Sequence, residues 1–185
     1  YSAEKALTTE VKKNSNAGKR YLTYKGETKT VSEWAKHLGF DPKVLYDPRA
    51  DKFVLLFLAG FTPEQTNVII AFSETNDPLG EWNFYALPGN PKNNDRWTDF
   101  PMFALTEEEL FLTINLIIPD EPWQTGFSET LIWQMSLDKG YNGDTIDAVY
   151  YDSIFFAGNP IRNLNPVRGG STTYGPDMYF LSNRN

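Results

Sequence analysis

The chain has 185 residues and a formal net charge of −7 at pH 7, with no cysteine and a single histidine, His37. The lack of cysteine excludes disulfides and thiolate metal sites, and one histidine excludes a multi-histidine metal centre and disfavours a Ser-His-Asp triad. No run of about 18 apolar residues occurs, so the sequence predicts no membrane span. Aromatic residues make up 15% of the chain, beside 13 glycines and 12 prolines, which favours an all-β protein of short strands.

Charge is distributed unevenly along the chain. The first 40 residues contain eight Lys or Arg and four Glu, whereas the remaining 145 residues contain nine basic and twenty acidic residues. An acidic body argues against a phosphate-binding surface in the larger part of the chain. The chain begins with Tyr1 rather than Met, which favours a processed or partial chain.

Residues 1–39 are predicted to form a basic lead-in with one short strand and one short helix. The strand covers Tyr21–Tyr24 and ends at a Lys-Gly pair. Thr30 and Glu33 form a capping-box pattern, and Gly39 is a stop signal, so we predict a helix over 31–38. One face of this helix carries the apolar residues Val31, Trp34, Ala35 and Leu38.

From residue 40 onward the apolar residues follow the spacing of β-strands separated by turn formers. The first set of predicted strands is Lys43–Tyr46, Lys52–Ala59, Asn67–Ser73 and Trp82–Leu87. A second set follows in the same order: Pro101–Leu105, Glu109–Leu116, Leu131–Ser136 and Asp144–Tyr151. Met178–Ser182 resembles the first strand of another set. We therefore predict four-stranded antiparallel units over 40–88 and 99–151, with a further one starting at 177–185.

Repeated four-stranded sheets in series are typical of a β-propeller, which closes into a ring with about four to eight blades. Two blades and part of a third do not close such a ring. The sequence therefore predicts an all-β, partial β-propeller with a short N-terminal helix. The remaining strands of the propeller are expected to come from other chains or from the rest of a longer chain.

Several linked motifs in the second part of the chain resemble those of a family of secreted bacterial β-propeller proteins. Residues 41–53 (DPKVLYDPRADKF) resemble the family's DPxVxYDxxADRF opening, and residues 71–82 (AFSETNDPLGEW) are similar to its AVSxTxDPTGxW. Residues 99–101 (DFP) stand where the family has DYPK, although Met102 replaces the lysine. LFLTIN at 110–115 and YFLS at 179–182 resemble two further family phrases, YYMTxN and YFLS.

This resemblance covers roughly residues 40–182 and implies a location and a role rather than a reaction. It implies a non-enzymatic, extracellular or cell-surface module that serves as a binding and assembly scaffold in a larger protein or complex. The expected partners are other protein chains, or the rest of a longer chain, and possible glycans. No cofactor is expected, with bound calcium as an open alternative.

Five residues are predicted to have structural roles at turns: Asp47, Asp51, Asp77, Gly80 and Trp82. The Asp77 carboxylate is expected to cap backbone N–H groups, Gly80 to supply a positive φ, and Trp82 to pack between sheets. A calcium loop is the alternative, but Asp47 and Asp51 lack the densely alternating oxygen ligands of such loops.

An alternative function is that of a five-bladed type of glycoside hydrolase. Such enzymes place carboxylates at the starts of their inner strands, and Asp41 and Asp99 occupy equivalent positions in the two repeats. Hydrolysis also needs a general acid about 5–10 Å away, for which the sequence offers Glu129 and Asp152 only as arbitrary candidates. A carboxylate that caps a turn near a proline is the simpler explanation of both Asp residues.

Two tryptophans in polar loop segments are candidate binding residues. Trp97 lies in NNDRWTD, and Trp123 lies in DEPWQTG close to Asp120. A loop tryptophan beside carboxylates and amides suits a carbohydrate or a protein hot spot. The alternative is that each indole packs beneath its own loop.

The basic lead-in supports a second alternative, nucleic-acid binding. Residues 21–40 resemble a strand-plus-helix phrase found in some phage and homing-endonuclease-associated DNA-binding modules. In that arrangement a recognition helix follows Gly39, but Asp41, Pro42 and strand residues follow instead. The pattern therefore favours a helix that packs Trp34 and Leu38 against the first sheet.

Overall fold

The computed structural model describes residues 21–24, 27–30, 43–122, 124–168 and 175–182. The described residues form mainly antiparallel β-strands, which confirms the all-β prediction. The predicted helix over 31–38 lies outside them. Strand β1 (Tyr21–Tyr24) is present as predicted and pairs with strand β2 (Glu27–Thr30) in a two-stranded hairpin.

The first four-stranded sheet, sheet 1, is an antiparallel meander in chain order. Its strands are β3 (Lys43–Asp47), β4 (Lys52–Ala59), β5 (Asn67–Ser73) and β6 (Trp82–Pro88). All four predicted strands are confirmed to within one residue, because each is bounded by a turn-forming segment.

The second four-stranded sheet, sheet 2, repeats this meander. Its strands are β7 (Trp97–Leu105), β8 (Glu109–Ile117), β9 (Phe127–Ser136) and β10 (Val149–Tyr151). The prediction that β7 starts at Pro101 is wrong, because Trp97, Thr98 and Asp99 pair with β8 before a bulge interrupts the ladder.

The predicted fourth strand of sheet 2, Asp144–Tyr151, is too long at its start. A helix, α1 (Leu137–Asn142), follows β9 directly and is capped by the Ser136 side chain, which accepts a hydrogen bond from Lys139 N. Gly143 ends the helix with φ of 72°. The five residues 144–148 then return the chain to the sheet edge, so β10 begins only at Val149.

Two short pairs of strands follow sheet 2. Strand β11 (Phe155–Phe156) pairs with β12 (Asn159–Pro160), and β13 (Asn165–Pro166) pairs with β14 (Phe180–Leu181). The predicted strand Met178–Ser182 is therefore shorter than expected. Within the described residues it pairs with β13 rather than beginning another four-stranded sheet.

Both sheets contribute one face to a shared hydrophobic core. The largest fully buried side chains come from both: Leu56, Ile70 and Phe72 from sheet 1, and Leu112, Ile114 and Leu131 from sheet 2. Among the described residues neither sheet closes on itself. They also include no helix with the length and apolarity required to cross a membrane.

Candidate functional site

The meander topology brings three connections to one end of the two sheets. These are residues 60–66, 89–96 and the β8–β9 connection at 118–126, of which residue 123 is not described; we call this end the loop end. Thr98 N donates a 3.1 Å hydrogen bond to Thr66 Oγ1, and Gly89 N donates to Thr66 O at 3.0 Å. These buried bonds join the loops of sheet 1 to the start of sheet 2. Binding residues are commonly carried by such clustered loops on a fixed scaffold.

Trp97 belongs to the loop end, although it lies at the start of a strand rather than within a loop. Its ring is half-buried and meets the Phe61 ring at a centroid distance of 6.4 Å and an interplanar angle of 63°. Phe61 is itself 55% exposed. The two rings form a small aromatic surface that bridges sheet 1 and sheet 2, a geometry suited to contact with an apolar or planar ligand group.

The loop that carries Asp120 is closed by its own hydrogen bonds. Ile118 N donates to Gly126 O at 2.7 Å, and Gly126 N donates to Pro122 O at 2.8 Å. Asp120 is exposed and has φ of 61°, a left-handed conformation that aspartate tolerates. Trp123 lies outside the described residues, so the predicted grouping of Asp120 with a neighbouring indole stays a prediction.

An ion cluster joins the loop end to Glu129 of β9 and to Asp152, the residue after β10. Lys92 Nζ lies 2.8 Å from Glu129 Oε1 and 3.1 Å from Asp152 Oδ2. The hydrogen bond to Glu129 raises the pKa of Lys92, and the hydrogen bond from Lys92 lowers the pKa of Asp152. Both carboxylates are thus held by one ammonium group, which leaves them poorly suited to act as a general acid.

Asp99, one half of the predicted catalytic pair, has a local structural partner. Its Oδ1 accepts a 2.7 Å hydrogen bond from Phe100 N, at the bulge of β7, where Phe100 has φ of 53°. The carboxylate therefore stabilises a strained backbone position. Asp41, the other half of the pair, lies outside the described residues.

At the end opposite the loop end, Asp47 is a buried carboxylate with three donors. It accepts hydrogen bonds from Arg49 N at 2.9 Å, from Ala50 N at 3.4 Å and from Tyr141 Oη at 3.0 Å. The first two close the β3–β4 turn, and the third connects sheet 1 to α1. Burial raises the pKa of Tyr141 well above its usual value, so the phenol remains a donor.

The side chains of the turn residues Asp51 and Asp77 both accept hydrogen bonds. Asp51 accepts hydrogen bonds from Tyr46 Oη and Asn76 Nδ2, both at 2.7 Å, and the bond from Tyr46 lowers the pKa of Asp51. Asp77 Oδ1 accepts a 2.9 Å hydrogen bond from Leu79 N. Such bonds hold two exposed turns in one conformation.

The expectation of a positive φ at Gly80 is wrong, because Gly80 is not in the left-handed region. A Cβ there would lie 2.7 Å from Asp77 O, so close approach of the chain requires glycine. Trp82 does not pack between the two sheets: it lies on the face of sheet 1 away from the core, and its Nε1 donates to Pro78 O at 3.2 Å.

Sequence reasoning missed Tyr141 and Lys92. Tyr141 lies in an unpredicted helix, 94 residues from its partner, and nothing local to it signals that contact. Lys92 is one of several polar residues in a loop.

The described residues contain no group of three or more His, Cys, Asp or Glu side chains placed to hold a metal ion. Comparisons of the chain with protein-family models, curated proteins and solved structures found no match.

Proposed function

We propose that the chain is a non-enzymatic β-propeller module, exposed outside the cell, that serves as a binding and assembly scaffold in a larger protein or complex. The observation that carries this proposal is the series of two four-stranded antiparallel meanders packed through one core. Four-stranded meanders in series are the unit of propellers, which close with about four to eight of them. The scaffold therefore needs further sheets, supplied by other chains or by a longer chain.

The use of the carboxylates supports a role without catalysis. Asp47, Asp99, Glu129 and Asp152 each hold a turn, a bulge or an ion cluster together. These contacts explain the four carboxylates without a reaction, which agrees with a non-enzymatic role. The aromatic pair of Trp97 and Phe61 at the loop end is the better candidate for contact with a partner, and the motif resemblance supports the extracellular location.

The test is the native mass of the protein isolated from its source, with peptide mapping of both ends. We expect a mass above the 21.1 kDa of this chain, from a longer polypeptide or from a stable partner that contributes β-strands. Recombinant chain of 185 residues is the mass control. A stand-alone native protein of 21.1 kDa without a partner contradicts the proposal.

A further inference from the structure

Phe61 is a large aromatic side chain carried by a loop that is closed by its own hydrogen bonds. It lies in the β4–β5 connection at the loop end and is 55% exposed. Gln65 N and Thr66 N both donate to Thr62 O, at 3.1 and 2.9 Å. Because the backbone of the loop is already fixed, little conformational freedom is lost when a ligand contacts the ring.

Trp97 places a second ring beside Phe61, directly after a loop that is also held by its own bonds. Asn93 N donates to Asn90 O at 3.1 Å, and the Asn90 side-chain amide donates to Asn94 O. Asn93 and Asn94 are exposed and shortly precede Trp97 in the chain. The loop end therefore presents two aromatic rings together with exposed amide groups on a fixed backbone.

The charges of the loop end disfavour an anionic ligand. Its described residues include two basic side chains, Lys92 and Arg96, and four acidic ones, Glu64, Asp95, Asp120 and Glu121. Both basic side chains already have acidic partners: Lys92 is held by Glu129 and Asp152, and Arg96 forms an ion pair with Asp95. Among the described residues of this end, a phosphate or carboxylate group would therefore meet no unpaired cation.

The geometry of the two rings favours an uncharged ligand over a cation. Aromatic sites for cations are cages, in which several ring faces converge on one point. The Phe61 and Trp97 rings instead meet edge to face, with centroids 6.4 Å apart and an interplanar angle of 63°. In that arrangement the edge of one ring covers a face of the other, so the pair forms an open platform rather than a cage.

The apolar surface of this platform is too small for a stable contact with a protein. Phe61 is the only large exposed apolar side chain among the described residues of the loop end, and Trp97 is half-buried. Two aromatic side chains bury at most about 150–250 Å² each, against roughly 800 Å² per partner in a standard protein interface. One face of a sugar ring matches this smaller area. Its C–H groups lie against an aromatic face, and its hydroxyl groups remain free to bond with amides and carboxylates.

We infer that the loop end binds an uncharged sugar ring, stacked on Phe61 beside Trp97, with its hydroxyl groups toward the exposed side chains of residues 93–95. The inference rests on the proposed function and deepens it by naming a ligand class for the scaffold. A shallow contact with about a dozen non-hydrogen atoms gives a dissociation constant of about one millimolar for a single ring. Soluble polysaccharides are the suitable probes, because each molecule presents many such rings close together.

The test is affinity electrophoresis of the full chain through native gels that contain soluble β-glucan, xylan or galactomannan, at low and high salt. We expect at least one polysaccharide to retard the chain, equally at both salt concentrations, because a neutral sugar has no charge to screen. Phe61→Ala should weaken binding by about tenfold or more, and Phe61→Leu should weaken it in the same direction, because leucine has no ring face. Tyr46→Ala is the matched control, since Tyr46 is an aromatic residue of β3 that is 50% exposed, away from the loop end, and it should bind as the unaltered chain does.

No retardation by any of the three polysaccharides overturns the inference, as does equal weakening by Phe61→Ala and Tyr46→Ala. Retention of the chain by polylysine alone, lost at high salt, also overturns it in favour of a cationic partner. If Phe61→Ala loses its β-sheet circular dichroism, Phe61→Leu carries the test. The result is separable from the proposed function. Absent sugar binding by a native protein heavier than 21.1 kDa overturns the sugar site alone, whereas sugar binding by a stand-alone native protein of 21.1 kDa overturns the scaffold alone.

Discussion

Asp47 and Tyr141 form a buried contact between sheet 1 and α1. The carboxylate is fully buried and takes a 3.0 Å hydrogen bond from a phenol that is 5% exposed. A buried carboxylate without its donors retains the cost of lost hydration. The contact therefore stabilises sheet 1 only when α1 is in place.

Tyr141→Phe should lower the free energy of unfolding by about 1–3 kcal/mol, because it leaves one Asp47 oxygen buried without its donor. Urea unfolding followed by circular dichroism measures the change. Tyr151→Phe is the control, since its hydroxyl donates to Gln134 Oε1 at an exposed site, and it should change stability by less than about 0.5 kcal/mol. Equal losses in the two variants would contradict this account.

Helix α1 lies against the core with almost no clearance. A Cβ on Gly140 would lie 2.6 Å from Phe72 Cε2, and the Phe72 ring also meets the Tyr85 and Tyr141 rings edge to face. Burial raises the pKa of Tyr85 to about 12, and its hydroxyl donates to Asp144 O at 2.9 Å beyond the helix. The short helix is thus held by aromatic packing rather than by its own propensity.

Gly140→Ala should destabilise the protein by about 1–3 kcal/mol through overpacking against Phe72. Thermal and urea unfolding measure the loss, and near-ultraviolet circular dichroism reports the aromatic cluster. Asn142→Ala, at an exposed position of the same helix, should remain within about 0.5 kcal/mol of the unaltered protein. An unchanged stability for Gly140→Ala would show that the helix can move away from Phe72.

The four strands of sheet 1 were predictable because each either alternates apolar and polar residues or is continuously apolar. Each also lies between turn residues such as Asp47, Asp77 and Gly60. Helix α1 was not predictable, because its cap Ser136 is also the last residue of strand β9. A helix of six residues is also too short for its apolar spacing to be recognised in the sequence. Among site residues, the capping role of Asp77 is visible locally, whereas the contact of Asp47 with Tyr141 depends on the tertiary fold.

The Lys92 cluster connects the segment between the two sheets to Glu129 of β9 and to Asp152, which follows β10, so its charge state bears on how these parts are held together. The pKa of Asp152 is lowered in the folded protein. Its contribution to the free energy of unfolding is therefore present above the usual aspartate pKa of about 3.9 and is lost as the pH falls below that value. The pKa of Lys92 is raised in the folded protein. Its contribution to the free energy of unfolding is therefore present below the usual lysine pKa of about 10.4 and is lost as the pH rises above that value.

Lys92→Met should therefore reduce stability most between about pH 5 and 10, by about 1 kcal/mol or less for this partly exposed cluster, and least at both extremes. Urea midpoints across the pH range measure the difference from the unaltered protein. Lys139→Met removes the more exposed pair with Asp147, with side chains 45% and 74% exposed, and should have a smaller effect. A pH-independent difference would mean that Lys92 acts through packing alone.

The contact between Asp47 and Tyr141 also has a consequence for how the chain is made. Its two residues are 94 positions apart, so a ribosome that adds about 5–20 residues per second needs about 5–20 seconds to supply the second after the first. Until Tyr141 is made, the Asp47 carboxylate lacks the phenol donor that it has in the folded molecule. The contact between sheet 1 and α1 can therefore form only late in synthesis.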